Sequence, residues 1–463
     1  MHPAHLAPLA LAAALSTLIA APAAAAPGDS AADPIKLLFV GNSYTFGRVA
    51  PVLHYNAAHV HDLTQPQGPL RTDNLGAPFT NLTGTNSYPV GTIDPGTGQE
   101  FTSYSPHSQT QAWGGVPGIF KQFTDQAGLH YDVSLSTRNA ASLRGQFLNT
   151  ANSNWNLRGN IASQAWDKVV LQEQSDEPLP ALTVGTAPNT STLNSNYPSF
   201  QAYLDRVEDY VHQGAALSYR ERAMYTEIYG SVAGCVAAGG TQSSCDNNTL
   251  RTVAANTNAN AAAQIYLYQT WARPNLINAP GATSIDPRTG NASYSGAPAA
   301  SFYGSLEAMT QDLVNAYAGA AAFAGADGSG GIAGIAPVGQ AFLRAVTSGV
   351  ATRDLYAADA LSDGLIDLWF NDGTHASVAG SYLAALTLFG TITGVDPRSL
   401  GAGEIAAADL GLSSTEASAL QAVAAAQLGF TAPVPEPGSW ALMLGGLLLL
   451  PVLLPALRRR GRA

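Results

Sequence analysis

The strongest constraint on the fold is a series of short apolar runs that alternate with longer stretches of helical spacing. Ile35–Val40 stops at Gly41; Tyr131–Leu135, Lys168–Leu171, Ala223–Ile228 and Ile265–Tyr268 are similarly short. Buried strands have this length, whereas helices need ten residues or more. Between them Val116–Ala127, Trp155–Asp167, Tyr197–His212, Ser305–Ala324 and Gly380–Thr391 repeat apolar residues at helical intervals. Strands apolar on both faces, separated by helices, predict a mostly parallel sheet covered on both sides. Such sheets bind ligands beyond the carboxyl ends of their strands, so polar residues that directly follow a strand are the first candidates for a site.

Composition narrows the class. Of 463 residues, 46% are apolar and 11% charged, the latter low against a typical ~25%. The 6 Trp, 18 Tyr and 14 Phe are enough for a core, and a chain this long needs no staple to form one. With 46 Gly and 28 Pro, long loops are expected at His61–Gly115, Ser175–Asn196, Gly234–Asn260 and Ala279–Pro298. Loops of that length usually carry function. Lys and Arg total 21 against 32 Asp and Glu, a net charge of −11, which excludes a general nucleic-acid binder. Cys235 and Cys245, ten positions apart in a Gly/Ser/Thr-rich stretch, are expected to close a small loop in an oxidising compartment. Such a bond is worth about 3 kcal/mol in the chain-entropy model.

Both ends read as addresses. Leu6–Ala26 is apolar and ends in Ala24-Ala25-Ala26, a small-residue cleavage pattern, so residues 1–26 are expected to be a signal peptide removed by signal peptidase. From Trp440 to Leu457 no residue is charged, and Arg458, Arg459 and Arg460 follow. As a helix this stretch spans about 27 Å, close to a ~30 Å hydrocarbon core, with the basic end inside. Val434-Pro435-Glu436-Pro437, the apolar span and the arginines together resemble the PEP-CTERM sorting signal. That resemblance implies a Gram-negative bacterium, removal of residues 434–463 by an exosortase, and surface or extracellular delivery linked to exopolysaccharide. The membrane would be met only through this tail. Residues 34–395 are then the body, and the Ala-rich residues 396–433 a helical linker.

Three short motifs carry chemistry. Gly41-Asn42-Ser43-Tyr44-Thr45 follows the first strand directly; a tight turn into a helix exposes a serine hydroxyl and turns backbone N–H groups toward a developing oxyanion. Asp372-Gly373-Thr374-His375 places a carboxylate three residues before an imidazole, the pair needed to take and return a serine proton. Gln172-Glu173-Gln174-Ser175 ends the Lys168–Leu171 strand with side-chain amides that can donate hydrogen bonds.

In this order the three blocks resemble the SGNH/GDSL hydrolases, and more narrowly their GNSYT-type bacterial branch, over roughly Pro34–Gly394. The resemblance implies a three-layer α/β/α flavodoxin-like fold with long loop insertions. It also implies ester hydrolysis through an acyl-serine, with Ser43 as nucleophile, His375 as base and acid, Asp372 orienting it, and no cofactor or metal. The oxyanion would be held by the Ser43 N–H and two further donors. Where the family has a glycine, this chain has Asn139-Ala140-Ala141-Ser142; Ala140 or Ala141 can supply the N–H with φ negative, and Ala140 is the assigned position. Where the family has asparagine, this chain has Gln174, the same donor on one more methylene. Family tendency and the sorting signal point to an O-acyl (acetyl) group on a carbohydrate. A lipase or lysophospholipase, and a catalytically silent polysaccharide-binding protein, are the alternatives.

Other features read as ordinary. His59-Val60-His61-Asp62 has metal-ligand residue types but no second cluster to pair with, so a solvated stretch is expected. Trp271 and Arg273 after the Ile265–Tyr268 run suit packing and a surface charge. Gly334–Gly339 is a Gly/Pro turn before a helix and lacks the Lys-Ser/Thr of a phosphate loop.

Overall fold

Six parallel strands form the central sheet: β1 (Ile35–Gly41), β2 (His61–Asp62), β3 (Tyr131–Thr137), β4 (Lys168–Leu171), β5 (Gln264–Tyr268) and β6 (Gly334–Ala336). Their order is β6-β5-β4-β1-β3-β2. Without the two-residue edge strand β2, this is the doubly wound flavodoxin order. The chain runs from β1 to β3 on one side and then returns past β1 to β4, which opens a crevice at the carboxyl ends of β1 and β4. The computed structural model describes residues 30–63, 84–88, 105–109, 113–148, 157–277 and 301–431, except 358, 361 and 371. The expected signal peptide, the Ala279–Pro298 loop, most of His61–Gly115 and the 434–463 tail lie outside them. Among the described residues no helix is long and apolar enough to cross a membrane.

The helices that matter here are α1 (Ser43–Phe46), α2 (Gly115–Gln126), α3 (Leu143–Leu148), α4 (Tyr197–His212), α5 (Glu221–Tyr229), α6 (Leu306–Ala324), α7 (Val338–Thr347), α8 (Val378–Thr393) and α9 (Ser414–Gln427). Phe39 of β1 meets Phe120 of α2 edge-on, and Phe120 and Phe123 meet Phe389 of α8 in the same manner. A second helical group joins through Phe147 of α3 against Tyr203 and Tyr210 of α4, and Phe200 of α4 against Tyr317 of α6. Aromatic pairs of this kind add about 0.5–1.5 kcal/mol each beyond the area they bury. The α8 helix is apolar nearly all round and buried accordingly, as expected of a helix with no solvent face.

Several expectations need correction. Ala223–Ile228 is not a strand but lies within α5, where Met224, Tyr225 and Ile228 share a helical face and Gly230 ends the helix in the left-handed region. The Trp155–Asp167 helix is reduced to Leu157–Ile161 among the described residues. Gly334–Ala336 is the edge strand β6 rather than a turn, and α7 follows it. The expected helical linker, residues 396–433, is described as far as residue 431 and is helical over much of that length, but it is packed on the body: α9 starts in a Ser413/Glu416 capping box, buries Leu420, Val423 and Ala424, and packs on α7 and α8. Its Gln421 Nε2 reaches the Tyr382 hydroxyl at 3.2 Å. Alanine-rich helices offer a flat surface for close packing, a composition a solvated stalk shares. Cys235 and Cys245 are joined by a disulfide between the short helices Val232–Ala237 and Gln242–Cys245, Cα atoms 5.9 Å apart.

Candidate active site

The turn after β1 is built around Gln172, the first residue beyond β4. Its Oε1 accepts from the Asn42 N–H at 2.8 Å and the Thr45 hydroxyl at 2.9 Å, fastening the turn across the crevice. A Cβ on Gly41 would lie 2.1 Å from Thr45 Oγ1 and 2.6 Å from Gln172 Oε1, so a side chain here would displace the Thr45–Gln172 contact. Asn42 Oδ1 caps α1 by accepting from the Tyr44 N–H at 3.1 Å. Ser43 is thereby held at the start of α1, buried, with Oγ 2.8 Å from His375 Nε2.

His375 comes from the loop before α8. Asp372 Oδ1 accepts from the N–H groups of Thr374 and His375, both at 2.9 Å, and Oδ2 lies 2.6 Å from His375 Nδ1. The carboxylate is thus fixed by its own loop, and the proton on Nδ1 leaves Nε2 as the acceptor facing Ser43. Gly373 has φ +63°, and a Cβ there would meet the Tyr356 hydroxyl at 2.0 Å. Trp271 donates from Nε1 to the Thr374 carbonyl at 2.9 Å and stacks between Tyr44 and Phe342 at 4.2 and 4.7 Å. It is fully buried and is therefore packing.

Two guanidinium groups flank this relay. Arg48 Nη1 is 3.2 Å from Asp372 Oδ2, 2.9 Å from His375 Nδ1 and 3.4 Å from Nε2. Arg273 is not the expected surface charge: its side chain is largely buried, paired with Asp176, and donates to Ser175 Oγ at 3.0 Å and Thr374 Oγ1 at 3.2 Å. It bridges the loops after β4 and before α8. Burial and Arg48 outweigh Asp372 and hold the His375 imidazole down at about 4. Burial alone would raise the Asp372 carboxyl, but His375 and Arg48 hold it below the usual carboxylate range.

The expected oxyanion donors are close to the relay in the fold but differ from expectation. Ala140 has φ +54°, in the left-handed region that glycine favours, so the expected negative φ is not met. The Ala141 N–H is directed to the Arg138 carbonyl at 3.3 Å. Asn42 Nδ2 ties this loop to the serine turn through the Ala141 carbonyl at 3.2 Å. Among the described residues no acceptor pairs with the N–H of Ser43 or of Ala140. Gln174 uses its Oε1 to accept the Asp176 and Glu177 N–H groups at 2.8 and 3.0 Å. Its amide nitrogen has only a 3.5 Å contact with Ser175 Oγ, too long to count as a firm bond.

Sequence reasoning missed three side chains. Arg48 is a lone basic residue with no motif around it. Gln172 and Glu173 were visible as a polar strand end, but nothing in the sequence said which amide turns inward. Glu173 is buried and accepts from Leu143 N–H at 3.0 Å and Gln174 N–H at 2.6 Å, clamping together the two loops that carry Ala140 and Gln174. Burial and neighbouring Glu177 raise its carboxyl well above the ordinary range. His59 is exposed as expected, but the rest of His59–Asp62 is not a solvated stretch: Val60 and Asp62 are buried, and His61 and Asp62 form β2, with His61 Nε2 2.9 Å from Asp132 Oδ1.

Two solved structures resemble this chain distantly. A DUF4886 family protein from Bacteroides uniformis aligns at 13% identity and a TM-score of 0.37, covering 88% of this chain and 99% of its own. A proposed SGNH hydrolase from Slackia heliotrinireducens aligns at 18% identity and a TM-score of 0.31, covering 78% and 99%. No family model and no curated protein matches the chain. At these scores the likeness carries no functional weight.

Proposed function

We propose that this chain is a serine hydrolase of the SGNH type that cleaves an ester through an acyl-serine. One observation carries the reading: a hydroxyl, an imidazole and a carboxylate, distant in sequence, stand in a relay of 2.8 and 2.6 Å at the rim of one sheet. Ser43 Oγ attacks the ester carbonyl carbon while His375 Nε2 takes its proton, and Asp372 steadies the imidazolium that forms. The oxyanion develops toward the unengaged N–H of Ser43. His375 then returns the proton to the leaving alkoxide as the carbon–oxygen bond breaks. Water repeats the sequence on the acyl-serine and releases the acid.

The polar rim, with Arg48, Asp176, Arg273 and Gln174, favours a short acyl group on a polar alcohol, and an O-acetyl carbohydrate is the proposed substrate class. Export and exosortase processing belong to the same reading, supported by the sequence at both ends. The test is p-nitrophenyl ester turnover by the mature protein and by Ser43→Ala. The expected result is acetyl hydrolysis faster than octanoyl, and a loss of about 10³-fold or more in the variant. Equal rates in the two proteins would instead support a silent carbohydrate-binding protein on this fold.

A further inference from the structure

We infer that Arg48 is a positioning residue for the general base: it keeps Asp372 seated on His375 and, by its charge beside the ring, keeps the imidazole neutral in acidic surroundings. The catalytic meaning rests on the hydrolase reading; the electrostatic content stands without it.

The 2.6 Å contact between Asp372 Oδ2 and His375 Nδ1 requires a proton between them. Nδ1 has room for one, so it cannot also accept from Arg48 Nη1 at 2.9 Å. One Nη1 hydrogen goes to Asp372 Oδ2, 3.2 Å away. What Arg48 presents to the ring is therefore chiefly charge: Nδ1, 2.9 Å away, has no lone pair free, and Nε2, 3.4 Å away, already faces Ser43 Oγ at 2.8 Å. A cation there opposes protonation of Nε2, while the Asp372 anion favours it. With the two roughly offset, burial decides for the neutral ring, and the ring stands well below its ordinary range.

The other groups facing His375 supply less of this effect. Arg273 acts in the same direction more weakly than Arg48 and is paired with Asp176. Tyr44 presents a ring edge at 5.5 Å and burial keeps it un-ionised. Ser43 is a neutral hydroxyl. Nor does Arg48 have another employment: Asp372 is its carboxylate partner among the described residues, and its own Nε is buried without an acceptor. A weaker base is the cost, and a base that stays unprotonated at low pH is the result.

The test is an NMR titration of ring-labelled histidine, with the His375 signal identified by its loss in His375→Gln. Wild type should titrate well below the ordinary ~6.5. Arg48→Met should raise the midpoint by about one pH unit, roughly tenfold in proton affinity, and Arg48→Lys should stay near wild type. The acid limb of the p-nitrophenyl acetate kcat/KM profile should move the same way with KM unchanged. A wild-type midpoint at or above 6.5, or one unmoved in a folded Arg48→Met, overturns the inference. The titration needs no turnover, so an inactive protein with an Arg48-dependent midpoint would sink the hydrolase reading alone. An active esterase with an unmoved midpoint would sink this inference alone.

Discussion

Among the described residues two histidine–carboxylate pairs are buried, and they behave oppositely. In α4, Glu208 and His212 lie one turn apart; Glu208 Oε1 bonds His212 Nδ1 and the Gly331 N–H, and Oε2 bonds the Ser329 hydroxyl. His212 Nε2 donates to the Ala263 carbonyl at 2.9 Å. Both ring nitrogens face acceptors, so both hold protons. Burial lowers the His212 value, but Glu208 and the carbonyl outweigh it, and the net direction is upward. At the sheet rim, His375 Nε2 faces a hydroxyl and a guanidinium lies beside the ring, and the value falls. A carboxylate neighbour therefore does not make a base. The partner of the second nitrogen, and any third charge, decide between a structural ion pair and a proton acceptor.

The sharpest way to break the comparison is to convert each carboxylate to its amide. Asp372→Asn should cost about 10⁴-fold in p-nitrophenyl acetate kcat with little change in the melting transition, because an amide favours the wrong imidazole tautomer. Glu208→Gln should leave turnover unchanged but lose about 3–5 kcal/mol of unfolding free energy in urea, since it strands a buried imidazolium. Should either variant show the other's phenotype, the two pairs have been assigned the wrong way round.

A smaller effect is pH dependence of opposite sign. His375 is depressed when folded, so the unfolded chain takes up its proton first, and stability is lost as pH falls from about 6.5 toward 4. His212 is raised, so its contribution is complete below about 6.5 and is lost as pH rises through its folded value. Thermal melts across pH 4–8 should show His375→Gln relieving the acid loss and His212→Gln flattening the alkaline one. Asp205 and Asp209, pushed up to about 7 and about 6 by burial and neighbouring carboxylates, add to the alkaline loss. The difference between variant and wild type isolates each pair.

The smallest effect concerns the loop that carries Ala140. Ala140→Gly should stabilise the protein by about 1 kcal/mol by removing a left-handed alanine, read as a rise in urea midpoint. A fall would mean that the alanine side chain contributes packing worth more than its backbone strain.

Much of this was readable in the sequence, for identifiable reasons. The β1, β3, β4 and β5 strands announce themselves because apolar runs bounded by turns fit a doubly covered sheet and little else. Ser43, Asp372 and His375 stand out because their residue types and strand-end positions match a proton relay. The α5 helix was misread because a five- or six-residue window of Met, Tyr and Ile satisfies both periodicities. The packing of α9 on the body was not legible because an alanine-rich helix looks the same in a linker and in a core. Arg48 was invisible as a functional side chain, and the clamp made by Glu173 was not legible within its polar block, because both roles arise from three-dimensional proximity alone. Gln172 and Gln174, two residues apart, carry the same amide, and only the turn of the backbone makes one a fastener of the serine turn and the other a local cap.

The central claim is that Ser43 is an activated nucleophile. Its most direct test is labelling of the folded protein with a fluorophosphonate, followed by peptide mapping. The account predicts one phosphonyl adduct, on Ser43, lost in His375→Gln and absent after unfolding. An adduct on another serine, or labelling that survives loss of His375, would contradict it.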